Sequence, residues 1–208
     1  MPQVIKKERR CIKCGKMRQI NMYPQIDALE SPELKEAILS EKFFDFTCSS
    51  CGLNADYAYP VLYHDREKAY MIYFTQNQDV VNESRLPIYL KQVKKRVVSG
   101  IKELKEKIII FDGGYNDIAI EMVKTAMQKI LVKKYNDEGT RIYFLRGDEA
   151  SLTFAIYFSD SKDAVYQSAN IKLYNQALEL LENSSYKEKN EFINVDKTFA
   201  VKIISESK

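Results

Sequence analysis

Two short motifs, CIKCG at residues 11–15 and CSSCG at residues 48–52, contain all four cysteines of this 208-residue chain. A Cys-x-x-Cys turn brings two sulfur atoms to one side of the backbone, where both reach a metal ion at about 2.3 Å. The glycine after each pair, Gly15 or Gly52, allows the backbone to fold beneath the ion. Two such turns supply four thiolates, which fill a tetrahedral shell and leave no position for water or substrate. The spacing therefore predicts a structural metal site rather than a catalytic one.

The expected ligands are Cys11, Cys14, Cys48 and Cys51. Zinc is the ion that four thiolates favour, and iron is the less favoured alternative because it accepts the same ligands. Three other interpretations stay open: a redox centre, a pair of disulfides, and free thiols. A redox pair normally begins a helix in a strand–helix–strand unit, and neither motif has that setting.

The overall charge is nearly balanced, with 32 basic against 29 acidic residues, so no strong field draws the chain to nucleic acid or to an anionic membrane. The N-terminal sequence MPQVIKKERR is not followed by an apolar run, so we expect neither a signal peptide nor a transmembrane segment. We therefore expect a cytoplasmic protein without membrane contact. Thiols stay reduced in the cytoplasm, which favours metal binding over disulfides.

We expect an α+β fold in two domains. Residues 1–92 are predicted to form a mostly β domain, because runs such as EKFFDFTC and KAYMIYFT are rich in aromatic and apolar residues; the family resemblance described below implies that this domain is zinc-ribbon-like. Residues 93–208 are predicted to form a mixed α/β domain with amphipathic helices. The boundary is placed near Gln92, at the end of a polar stretch that Pro87 interrupts.

Apolar periodicity and end signals predict four helices, at about residues 32–40, 101–111, 116–133 and 162–182. The first has Ser31 as its N-cap and Pro32 at its first position. The third is predicted to bury a stripe that includes Ile130, and the fourth to bury Val165 and Leu173. A hairpin is predicted around residues 147–149, and the C-terminal FINVDKTFAVKII fits either a short helix or a strand.

Several segments together are similar to the CpXC family, bacterial proteins named for two Cys-x-x-Cys motifs. They are CIKCG, SPELKEAILSEKFFDFTCSSCG, YAYPVLYHD and RVVSGIKELKEKIIIFDGGYNDIAIEMVK, within about the first 125 residues. The resemblance implies a zinc-binding, ribbon-like cysteine domain followed by an α/β portion, and it implies no activity. The four cysteines match the family motif, but Ile12 and Ser49 stand where the family usually has Pro.

Two groups of basic residues are relevant to the kind of partner that the protein binds. The first, called here the basic hairpin cluster, comprises Lys6, Lys7, Arg9, Arg10, Lys13, Lys16 and Arg18, with Glu8 as its one acidic neighbour. Such a cluster either balances the charge of about −2 on a zinc ion with four thiolates or contacts phosphates. The second, the basic run of Lys91, Lys94, Lys95, Arg96, Lys102, Lys105 and Lys107, is interpreted as a solvated helix face.

Candidate catalytic groups are few. His64 is the single histidine, and no serine or cysteine nucleophile motif accompanies it. Asp112, Asp117 and Glu121 are candidates to hold a cation in oxygen ligands; the alternative is that Asp112 marks the end of one helix and Asp117 the start of the next.

We assign no catalytic residue and expect a metal-stabilised binding or adaptor protein with a protein partner and no activity of its own. The alternatives are a nucleic-acid-binding protein that uses the basic patches and an enzyme that uses an inter-domain cleft around His64. The sequence assigns no oligomeric state.

Overall fold

A computed structural model describes residues 4–76 and 93–207, which contain five helices and eleven strands. The fold is α+β, as predicted. It divides into two compact units, one formed by the described residues up to Lys105 with Asn190–Ile193, and the other by Glu106–Lys189 with Asn194–Lys208. The predicted domain boundary near Gln92 lies outside the described residues. Within the part of the chain that is described, no helix is both long and apolar enough to cross a membrane.

The N-terminal unit is rich in strands. They are β1 (Ile5–Arg10), β2 (Met17–Met22), β3 (Gln25–Asp27), β4 (Asp45–Thr47), β5 (Asn54–Asp56), β6 (Val61–Asp65), β7 (Tyr70–Phe74) and β8 (Lys94–Val98). Two antiparallel hairpins, β1–β2 and β4–β5, each turn at one of the two cysteine motifs. This repeated construction gives the N-terminal unit the ribbon-like character that the sequence predicts.

The other four strands form a mixed sheet in the order β3-β6-β7-β8. The β7 sequence YMIYF is apolar throughout, and four of its five residues are buried, which is typical of a strand covered on both faces. The rings of Phe44 and Tyr59 lie 5.2 Å apart, and Phe44 also lies 5.0 Å from Phe74 of β7. Ring packing thus joins the residues that flank the β4–β5 hairpin to the sheet.

Helix α1 (Pro32–Leu39) begins with Pro at its first turn, as predicted. The side chain of Ser31 makes no capping hydrogen bond, and its buried hydroxyl has no hydrogen-bond partner among the described residues. The carbonyl of Ser31 instead accepts hydrogen bonds from the amides of Leu34 and Lys35. The predicted position of the N-cap is therefore confirmed, and the cap acts through its backbone carbonyl rather than its side chain.

The remaining elements, in chain order, are α2 (Ile101–Asp112), α3 (Asp117–Tyr135), β9 (Arg141–Gly147), β10 (Ser151–Tyr157), β11 (Val165–Asn170), α4 (Ile171–Asn183) and α5 (Lys197–Glu206). Helix α2 spans the division between the units. The three strands form an antiparallel sheet in the order β11-β10-β9, and the predicted hairpin at residues 147–149 is confirmed. The C-terminal segment that the sequence left open between helix and strand contains α5.

The helix predicted over residues 162–182 is wrong in its first half. Residues 165–170 instead pair with β10 as the edge strand β11, and Asn170 then caps α4 by accepting a hydrogen bond from the amide of Lys172 at 2.9 Å. Val165 and Leu173 are exposed rather than buried: Val165 lies on the edge strand β11, and α4, which begins only at Ile171, buries Tyr174 and Ala177 instead of Leu173. Apolar spacing alone does not separate a strand that runs into a helix from one longer helix.

Helix α3 begins as the sequence predicts. Gly114 adopts φ +74°, and the side chain of Asn116 accepts hydrogen bonds from the amides of Ile118 and Ala119. Most of the predicted apolar stripe is buried, but Ile130 is 67% exposed. The stripe is therefore narrower at its C-terminal end than the sequence indicates.

Charged side chains are buried inside the C-terminal unit. Lys107 Nζ lies 2.9 Å from Asp117 Oδ2, with side-chain exposures of 5% and 0%. Lys124 bonds both Glu106 and Glu121, at 2.9 and 2.8 Å, and burial raises the pKa of Glu106 despite the Lys124 charge. Each of these charges leaves water only because it has an opposite partner.

We predict that Asp117→Asn lowers the free energy of unfolding by about 3 to 5 kcal/mol, because it leaves the buried Lys107 ammonium without its carboxylate. Urea denaturation followed by circular dichroism measures the loss. Lys107→Met combined with Asp117→Leu should lose much less, because both charges then disappear. Lys202→Ala, which breaks a largely exposed pair, is the control. A loss in Asp117→Asn no greater than in this control would contradict the prediction.

Candidate metal centre

Each cysteine motif forms a tight turn of the same construction. The amide of Gly15 donates to the carbonyl of Cys11 at 2.9 Å, and the amide of Gly52 donates to the carbonyl of Cys48 at 2.8 Å. A second hydrogen bond closes each turn, from the amide of its first cysteine to the carbonyl five residues later, at 3.0 and 2.8 Å. The two turns therefore present their cysteines in the same way.

Both glycines lie in the left-handed region of backbone conformation, Gly15 at φ +71° and Gly52 at φ +67°. Apart from Gly52 itself and its two chain neighbours, no residue has an atom within 4 Å of the position that a Cβ would occupy at Gly52, so space does not exclude a side chain there. The backbone angle is the constraint, because L-residues with a Cβ are strained in this region.

The four sulfur atoms converge on one point. Cys11 Sγ lies 3.7 Å from Cys51 Sγ, Cys14 Sγ lies 3.8 Å from Cys48 Sγ, and all four ligand atoms lie within 4.8 Å of one another. In a tetrahedral site with metal–sulfur bonds of about 2.3 Å, the sulfur–sulfur separation is about 3.8 Å. The cluster thus has the dimensions of a four-thiolate metal site, and all four cysteines are free of disulfide bonds.

Backbone amides point at the first sulfur of each motif. Hydrogen bonds from the amides of Ser50 and Cys51 lower the pKa of the Cys48 thiol to about 6, although burial opposes them. The amides of Cys14 and Lys13 likewise lower the pKa of Cys11. Amide donors favour the ionised sulfur, and the thiolate is the form that binds metal.

The pKa of the Cys51 thiol is shifted in the opposite direction. The amide of Leu53 lowers its pKa, but desolvation and the other three cysteines outweigh that donor and raise the pKa to about 11. Four neighbouring thiols do not all ionise together, because each negative charge opposes the next. A bound cation removes this conflict, so the cluster is suited to holding a metal ion.

Two contacts outside the sulfur cluster hold the turns in place. Arg10 Nε donates to the carbonyl of Gly15 at 3.1 Å, and Tyr57 Oη donates to the carbonyl of Arg10 at 2.9 Å. The ring of Tyr57 packs edge-on against Phe46 of β4 at 4.9 Å. Sequence reasoning placed Arg10 only in a charge cluster and missed Tyr57, whose contact depends on the register of two hairpins that no local pattern reveals.

The basic run does not form the solvated helix face that the sequence predicts, and its first lysine lies outside the described residues. Lys95 and Arg96 are buried on β8. Lys102 and Lys105 both bond Glu41, at 2.9 and 2.8 Å. Burial alone would raise the pKa of Glu41, but the hydrogen bonds from these lysines lower it. Most of the basic residues of this run are therefore buried or paired with a carboxylate within the protein.

His64 lies on β6 in the N-terminal unit and is 2% exposed. Its Nδ1 lies 3.9 Å from Asp27 Oδ2, beyond hydrogen-bond distance, and has no hydrogen-bond partner among the described residues. Arg66 Nε bonds the Asp27 carboxylate at 2.6 Å. Burial lowers the pKa of His64 despite the Asp27 charge, so the imidazole is neutral at pH 7. His64 is thus an enclosed neutral side chain with almost no surface for a substrate.

The three carboxylates considered as cation ligands have other partners. Asp112 is the last residue of α2, and Asp117 is the first residue of α3. Asp117 bonds Lys107, and Glu121 bonds Lys124. The helix-boundary interpretation of Asp112 and Asp117 is confirmed. In residues 4–76 and 93–207, the one group of His, Cys, Asp or Glu side chains spaced to hold an ion is the cysteine cluster.

We predict that Gly52→Ala destabilises the metal-loaded N-terminal unit by about 1 to 2 kcal/mol, because the turn needs a left-handed backbone. Gly52→Asn should destabilise the unit less than Gly52→Ala does, since Asn adopts the left-handed conformation more readily than Ala. Urea unfolding of the metal-loaded protein measures both, with the exposed Ser50→Ala in the same turn as control. Equal stability of the Gly52→Ala variant and the unaltered protein would contradict the backbone argument.

Comparison with known proteins agrees with the cysteine geometry. The family model for the CpXC protein matches residues 10–124, a range that includes both motifs and all four cysteines. No curated protein and no solved structure matches the chain. The matched range is more than half of the 208 residues, so the match is sufficient to assign the chain to a family. The chain belongs to the CpXC protein family.

Proposed function

We propose that the protein is a non-catalytic binding module whose N-terminal unit is held together by one structural zinc ion. The separations of 3.7 and 3.8 Å between sulfurs of different motifs carry this proposal. Cys11, Cys14, Cys48 and Cys51 would be the ligands. Zinc has no geometric preference of its own and accepts the tetrahedral shell that the turns offer. Iron shares this ligand set and is the competing ion.

The two hairpins give the ion a structural task. All six residues of β1 are exposed, and β4 and β5 have only three residues each. Isolated two-stranded hairpins are at best marginally stable in water. Binding of structural zinc contributes on the order of 10 kcal/mol or more. We infer that the ion joins two hairpins that have little apolar surface to bury.

The positions of the catalytic candidates support a binding role. A shell of four thiolates has no open position for substrate. His64 is 2% exposed, and Asp117 and Glu121 each bond a lysine. The proposed module therefore acts through its surface on a macromolecular partner, as an adaptor does.

We predict that the purified protein contains one zinc per chain and that Cys11→Ser, Cys14→Ser, Cys48→Ser and Cys51→Ser each abolish stoichiometric binding. Removal of the ion with a strong chelator should unfold the β1–β2 and β4–β5 hairpins, because their mutual contact depends on it. Elemental analysis by mass spectrometry gives the metal content, and amide NMR spectra report the folded hairpins.

Ser49→Ala is the matched control, because this exposed residue lies between the cysteines of the second motif. It should keep both zinc and fold. Stoichiometric iron would replace zinc in the proposal. A folded N-terminal unit without any metal, or with the cysteines joined as disulfides, would overturn it.

A further inference from the structure

Positive charge is concentrated on the β1–β2 hairpin. The basic hairpin cluster contributes seven basic side chains against one acidic residue, Glu8, an excess of six. The whole chain has an excess of only three, so everything outside residues 6–18 has an acidic excess of three. The near-neutral total therefore conceals one strongly basic element on an otherwise acidic chain.

Charge balance for the metal centre does not account for this excess. A zinc ion with four thiolates carries a formal charge of about −2, which leaves an excess of about four on the hairpin. Among the described residues, no member of the cluster forms an ion pair. Arg10 and Arg18 donate to backbone carbonyls, those of Gly15 and Met17. The lysines of the basic run, by contrast, bond carboxylates such as Glu41.

The arrangement within the hairpin is unfavourable for folding. Arg9 lies directly opposite Arg18 in the antiparallel register, and like charges in that position destabilise a strand pair. Arg18 Nε is buried without a hydrogen-bond partner among the described residues. The remaining β1 side chains project into solvent. Such an arrangement is consistent with selection for an anionic partner rather than for stability.

We propose that the β1–β2 hairpin binds double-stranded DNA, with the basic hairpin cluster on the phosphates; this inference rests on the proposed function, since the metal centre fixes the turn. A strand of six residues is about 20 Å long, and paired strands lie about 4.8 Å apart. A two-stranded ribbon of this kind enters the major groove of B-DNA, which is about 12 Å wide. The major groove of duplex RNA is too narrow for side chains to read.

Other anionic partners fit the hairpin less well. Single-stranded nucleic acid is bound on stacked aromatic side chains, and residues 4–22 contain none. A membrane surface calls for one continuous apolar face. The exposed apolar residues of the hairpin are divided between its two ends, with Val4 and Ile5 at the start of β1 and Ile12 and Met17 at the turn. The charge and shape of the hairpin thus favour duplex DNA.

The test compares the zinc-loaded full chain with two charge variants. Lys6→Gln, Lys7→Gln and Arg9→Gln together remove three hairpin charges and leave Arg10 and the cysteines intact. The matched control, Lys129→Gln, Lys162→Gln and Lys172→Gln, removes three exposed charges from the C-terminal unit. Zinc content and amide NMR spectra establish that both variants keep the folded hairpin.

Affinity for a duplex DNA of about 20 base pairs is measured by fluorescence anisotropy over a range of salt concentrations. We expect log affinity to fall linearly with log salt for the unaltered chain and the control. The slope should be smaller by about 2.7 in the hairpin variant, because each lost phosphate contact contributes about 0.9. A hairpin variant with unchanged slope and affinity overturns the inference.

The unaltered protein provides a second test that needs no variant. Duplex RNA, single-stranded DNA, a polyglutamate peptide and vesicles with anionic lipid are compared at the same salt concentration. Preference for any of these over duplex DNA overturns the inference. A zinc-loaded chain that does not bind DNA at low salt also overturns it but leaves the zinc centre standing. A chain that folds without metal overturns both proposals.

Discussion

The convergence of four sulfur atoms brings together the two short hairpins of the N-terminal unit. Each hairpin is closed by its own backbone hydrogen bonds, but neither has many apolar side chains to bury. The separations between sulfurs of different motifs match a tetrahedral ion, and the amides around Cys48 and Cys11 favour the charged sulfur. The backbone amides thus favour metal binding at these two sulfurs. In addition, the hydrogen bond from Tyr57 to the carbonyl of Arg10 links the first turn to the second hairpin.

Charge is used in two different ways along this chain. In the C-terminal unit, Lys107 and Lys124 bond carboxylates and so join α2 to α3. On the β1–β2 hairpin, the charged side chains of β1 are exposed, and none of them has an ionic partner among the described residues. A net charge near zero therefore says little about which partners this protein binds. Lys107 and Lys124 are paired with carboxylates inside the fold, whereas the basic residues of the β1–β2 hairpin are available to a partner.

The sequence was most informative where structure is local. The cysteine spacing, the following glycines, the Asn116–Asp117 helix start and the hairpin at residues 147–149 all depend on neighbours within a few positions, and the structure has each of them. The wrong predictions depended on distant contacts. Nothing near Val165 indicates that β10 will pair with it, and nothing near Lys95 indicates that β8 will be enclosed.

The wide sequence separation between the two turns has a kinetic consequence. Each turn is closed by hydrogen bonds between residues four or five positions apart, whereas the sulfur contacts join residues 40 and 34 positions apart. Local turns form early and distant contacts late, because closing a long loop carries a larger entropic cost. An ion captured by one turn meets the second pair of thiolates at a high effective concentration, since both are on the same chain. For the proposed metal site we therefore expect chelation in two steps, with the length of chain between residues 14 and 48 contributing to the entropic cost of the second step.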